Sequence, residues 1–194
     1  GHENEQLRAL AHLEIARAPY DAIRNCSGAL SREEILAFLE NVRFAEWHPL
    51  YILFLAQSEN PEDQHRIEES FESSSRFRST LRLAAWATAL IEIEEEEAVE
   101  EIELRYFQNT TRNPDELKAV LQALSVHGTN GHTFLRDRIV DAYGTLLRHH
   151  PAMAPMVVAD LNTWKRWDLM IPIEAVVANP PPGMNFQALL QLRK

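Results

Sequence analysis

Four histidines fall in or beside one stretch of the chain. His127 and His132 flank Gly128-Thr129-Asn130-Gly131, and His149-His150 close the apolar-patterned run that follows. Imidazole is the commonest metal ligand and the usual acid–base group near neutral pH. On a straight helix the 17 residues from His132 to His149 span about 25 Å, so those two cannot share an ion. The pattern is that of surface and end-of-helix histidines, the latter favoured by a C-terminal dipole. Glu62-x-x-His65 has the carboxylate–His spacing of di-iron bundles, but such a centre needs a second pair, and the chain has none. Cys26 stands alone, and the expected role for such a thiol is a buried one at a helix end. The chain has no His-Glu-x-x-His, no phosphate-binding glycine loop and no Gly-x-Ser-x-Gly. No catalytic residue, metal ligand or cofactor is therefore assigned, and the reading leans away from an enzyme.

Two further clusters suit recognition rather than catalysis. The run 91–103 carries Glu92, Glu94, Glu95, Glu96, Glu97, Glu100, Glu101 and Glu103. Arg76, Arg78 and Arg82 precede it and are placed to neutralise part of it across an antiparallel pair, a surface worth little net energy. Left unpaired, Glu96, Glu97, Glu100 and Glu101 would form an acidic docking face for a basic partner. Trp164-Lys165-Arg166-Trp167 mixes aromatic and basic side chains as peptide and nucleic-acid binders do, although four residues serve equally as a turn with buried Trp.

The elements that must position these residues are helices. The chain of 194 residues has 45% hydrophobic and 25% charged residues, ordinary values for a globular protein. Only 6 Gly are present, too few for a turn-rich β fold, and the 10 Pro fall at apparent helix boundaries. A net charge of −10 disfavours a nucleic-acid duplex as partner. The single cysteine allows no intrachain disulfide and suits a reducing compartment, so the chain is read as cytoplasmic. No apolar run approaches the ~18–20 residues of a membrane span. A chain that begins Gly1-His2 reads as processed, so its lack of a leader excludes no compartment.

Residues 113–151 read as a helical hairpin, the element around which the rest of the chain is expected to be organised. Asn113 is an N-cap, Pro114 fits the first turn, and Asp115 and Glu116 complement the dipole. Leu117, Val120, Leu121 and Leu124 make one apolar stripe; residues 128–131 end it; Leu135, Ile139, Ala142, Tyr143, Leu146 and Leu147 make the next. Upstream, residues 3–17 read as a short amphipathic helix. Ser31 opens a capping box with Glu34, residues 50–57 a buried helix, and Asn60-Pro61 another start. Ser73-Ser74-Ser75 reads as a turn and 77–93 as a helix, with a break near 93–95, because four Glu suit an N-terminus better than a C-terminus. Residues 152–161, 169–178 and 186–192 complete the helices, the last cut short at Lys194, with Pro180-Pro181-Pro182-Gly183 as a stiff spacer.

Helix pairs then start near Ser31, Asn60, Glu94, Gly131 and Asp168, at intervals of roughly 30–37 residues. The run from Leu135 through Arg136, Ala142 and Gly144 to Leu147 resembles the inner helix of a HEAT repeat, and Arg82-Leu83-Ala84-Ala85-Trp86-Ala87-Thr88-Ala89-Leu90 is similar in its small-residue core. The resemblance covers about residues 31–178. It implies an all-α fold of antiparallel helix pairs stacked as a short solenoid, with an irregular helical bundle as the alternative. Residues 1–30 would form a helical cap, 31–179 the repeats, and 180–194 the spacer and last helix. The function so implied is a protein–protein interaction scaffold. Competing readings are a HEAT-like enzyme of the DNA glycosylase or bilin lyase kind, and a helical bundle for a small ligand or metal. The partner and the oligomeric state are not legible.

Overall fold

The computed structural model describes residues 13–15, 17–26, 28, 30–184 and 186–192. The expected helix over 3–17 falls mostly outside them; residues 13–15 are helical. Among the described residues there is no β-strand, and no helix is long and apolar enough to cross a membrane. We number the helices α1 (Tyr20–Asn25), α2 (Arg32–Glu40), α3 (His48–Leu55), α4 (Pro61–Phe77), α5 (Leu83–Glu94), α6 (Glu96–Ile102), α7 (Pro114–Asn130), α8 (Arg136–His149), α9 (Ala154–Trp164), α10 (Met170–Ala178) and α11 (Phe186–Gln191). A π-helical turn, Glu103–Phe107, extends α6.

Local chemistry explains the starts. Ser31 and Glu34 exchange the two bonds of a capping box, and Asn113 and Glu116 do the same at α7. Asn60 accepts from the Glu62 amide at the head of α4. The break before α6 falls at Glu95, whose φ of 53° ends α5 and lets the following carboxylates begin a new helix.

Three expectations fail for reasons of tertiary packing. Ser73-Ser74-Ser75 is helical: Ser74 Oγ donates to the Ser70 carbonyl at 2.8 Å, and Ser74 and Ser75 are buried, so α4 runs on to Phe77. Arg78 and Arg82 then both take positive φ, so α5 starts at Leu83 and Leu81 is left exposed. Gly128 lies inside α7 rather than in a turn. A Cβ there would stand 2.2 Å from Trp164 Cζ2, so the indole of α9 can lie directly on the helix only because residue 128 has no side chain.

Packing is organised by alternate helices. α3, α5, α7, α9 and α11 touch in succession; opposite them α6 with its π turn touches α8, and α8 touches α10. α2 and α4 pack on the helices that follow them. The hairpin of α7 and α8 is therefore not the centre of the fold. α7 makes its broadest contact with α5 and only a narrow one with α8. Both apolar stripes of residues 113–151 are nevertheless buried from Leu117 to Leu147, together with Phe71, Leu90, Tyr106 and Phe107.

Candidate functional site

The acidic run divides by burial. Glu92, at the inner face of α5, accepts from Arg24 Nε at 2.8 Å and from the Tyr20 hydroxyl at 3.0 Å. Glu103, in the π turn, is held by Arg138 at 2.6 Å and Thr145 Oγ1 at 2.5 Å. Burial raises its carboxyl, but those hydrogen bonds outweigh it and keep the group below its ordinary value. Glu101 pairs with Arg105 at 2.7 Å. The arginines expected to neutralise the run face elsewhere. Arg76 lies over the Phe77 ring, Arg78 reaches Thr111 and Glu116, and Arg82 bonds His48. The connection between α4 and α5 starts and ends on positive φ, at Arg78 and Arg82.

Glu94, Glu96, Glu97 and Glu100 are left on the outer face with no ion pair among the described residues, beside Glu68 of α4. Half-burial together with the charges of Glu101, Glu68 and Glu97 pushes the Glu94 carboxyl up to about 7. The folded chain thus binds this proton more tightly than the unfolded chain does. The contribution to stability is complete below about pH 4.5 and is lost as pH rises through 7. Glu94→Gln keeps the neutral shape at every pH. It should stabilise the protein at pH 8 by about 1–2 kcal/mol, discounted for solvent screening, and leave it unchanged near pH 4.5. Thermal denaturation of both proteins across this range reads the difference; a gap that does not narrow in acid would contradict it.

The second cluster separates. Trp164 is buried, donates Nε1–H to Thr129 Oγ1 at 3.0 Å and stacks on Tyr143. Arg166 pairs with Asp137 and Asp168. Only Lys165 and Trp167 remain exposed. Trp167 borders an apolar groove of about 710 Å³ lined by Leu161, Met170, Ile173 and Val177.

Cys26 is exposed, not buried. The histidines also depart from expectation. His149 is exposed and His150 half-buried, and His65 pairs with Glu68 and Glu69 on the surface of α4. His127, expected at the surface, is fully buried, which holds its imidazole neutral, with a pKa lowered to about 3. His132 folds back onto it, ring centroids 5.3 Å apart, and its Nε2 lies 3.2 Å from Glu92. The only sequence signal for this grouping was the pair of histidines five residues apart; Glu92 comes from a different helix.

No family model, curated protein or solved structure matches this chain significantly. Function is therefore argued from the chain's own surfaces. Asp160 illustrates the contrast with a reactive carboxylate: both its oxygens are occupied, by Ser125 Oγ and the Tyr143 hydroxyl, so it ties α7, α8 and α9 together.

Proposed function

We propose that the chain is a non-catalytic protein-interaction scaffold, a short HEAT-like α-solenoid whose acidic face docks a basic segment of another protein. The succession of contacts through α3, α5, α7, α9 and α11 supports the repeat reading, since each is the second helix of a pair read from the sequence. The docking reading is carried by one observation. Glu68 of α4 and Glu97 and Glu101 of α6 are the charged neighbours that push the Glu94 carboxyl up, and all three are carboxylates. A basic segment would relieve that repulsion while the exposed Glu96 and Glu100 steer its approach.

A labelled oligolysine peptide is a suitable probe, its binding followed by fluorescence anisotropy. Glu96→Lys, Glu97→Lys and Glu100→Lys together should weaken binding about tenfold at low salt and less at physiological salt. The same number of reversals at the exposed Glu33, Glu40 and Glu59 leaves net charge matched and should have little effect. Equal losses in the two variants would reduce the face to general electrostatics and end the docking reading.

A further inference from the structure

We infer that Glu92, His127 and His132 form a binding site for a divalent transition-metal ion of the zinc class, with one coordination position left for water or a small ligand. Glu92 comes from the last turn of α5 and His127 from the last turn of α7. His132 follows directly after the helix. One ligand atom from each lies within 4.8 Å of the others. For three atoms so spaced there is always a point no more than about 2.8 Å from each, so small side-chain rotations close it to the ~2.0–2.2 Å of zinc bonds. Gly131 keeps that approach open. A Cβ at this position would stand 2.7 Å from His127 Nδ1.

The outer contacts orient the three groups. His127 donates Nε2–H to the Thr88 carbonyl at 2.9 Å, which makes Nδ1 its ligand atom; the His132 backbone N–H donates to that nitrogen at a long 3.5 Å, a contact the ion would replace. His132 turns Nδ1 towards Glu95 at 4.0 Å, and its buried Nε2 makes no hydrogen bond among the described residues. That nitrogen lies 3.2 Å from Glu92 Oε2 but off the line a hydrogen bond needs. His127 thus has one nitrogen on the Thr88 carbonyl and His132 has one turned towards the Glu95 carboxylate, the arrangement that supporting contacts impose on metal-bound histidines, while Nε2 of His132 is left without a hydrogen bond. Arg24 holds Glu92 Oε1 and Tyr20 donates to Oε2, which retains a second lone pair. Glu95 adds a second negative charge against the positive charge of Arg24. Two imidazoles and one carboxylate select zinc-like ions over the all-oxygen preferences of Ca²⁺ and Mg²⁺. His132 retains 11% side-chain exposure, which gives the ion a way in.

The site is tested by titrating the metal-stripped protein with Zn²⁺ and with Co²⁺, following Tm for the first and visible absorbance for the second. Zn²⁺ about 100-fold above Kd should raise Tm by roughly 5–10 °C, with no rise for Mg²⁺. Co²⁺ should give the absorption bands of a low-coordinate nitrogen–oxygen site. His132→Gln should lower affinity by about a hundredfold or more, and Glu95→Gln by about tenfold. The double variant His65→Ala/His149→Ala, which removes exposed imidazoles elsewhere, should bind as the unaltered protein does. Circular dichroism and the metal-free Tm establish that each variant is folded; if His132→Gln is not, Glu95→Gln decides. No metal-dependent rise, a response lost with His65 and His149, or unchanged affinity in the deciding variant would each overturn the site.

Discussion

Replacing Arg112 by Met should destabilise the protein by about 3–5 kcal/mol, because it strands a buried carboxylate. Glu116 has no exposed side-chain surface, and Arg112 is its close partner at 2.7 Å. The same guanidinium donates to the Ser75 carbonyl and hydroxyl, each at 2.8 Å, and to the Arg105 carbonyl at 2.9 Å. It lies 4.4 Å from the centre of the Tyr106 ring. One side chain thus joins the last turn of α4, the π turn and the first turn of α7. Arg78, at 3.6 Å from Glu116 and half-exposed, is too far and too solvated to replace it. Urea unfolding measures the loss. Adding Glu116→Gln should recover part of it, because a neutral amide no longer needs the cation. A loss below about 1 kcal/mol, or a double variant no better than the single one, would show that the fold tolerates the charge unaided.

Leu121→Ala and Leu146→Ala should each cost about 2–5 kcal/mol. Leu121 is 1% and Leu146 0% exposed, both within the close-packed core, so truncating either leaves a cavity. The denaturation midpoint should fall with the slope unchanged, the mark of altered stability in an unaltered fold. A loss below about 1 kcal/mol at both would mean that these faces do not pack in solution as described.

The sequence made legible what neighbours in the chain decide. Ser31 and Asn113 each find their partner three residues on, and the excess of Glu after Ile93 places the break that Glu95 makes. It could not show what distant segments decide. Arg112 meets Ser75 across 37 residues, and His127 meets Thr88 across 39. The serines of α4 locally prefer a turn, but the burial of Ser74 and Ser75 and the hold of Arg112 on Ser75 override that preference. In sequence the acidic run is one continuous surface, but Glu92 and Glu103 are drawn inward by Arg24 and Arg138, residues that no spacing connects to them. What remains outside is smaller, and its charge is less compensated than the expected arginines would have made it.

The close approach of Trp164 to Gly128 bears on how relatives of this chain can vary. With an indole carbon 2.2 Å from where a Cβ would stand, position 128 cannot gain even a methyl group while position 164 keeps its ring. A lineage that enlarges the first must already have lost the second, and the loss alone opens a hole beside Tyr143 and Thr129. Either single step is deleterious, and only the pair together is tolerable. The two positions are therefore inherited as a unit, and in an alignment of descendants Gly128 and Trp164 should be kept or exchanged together.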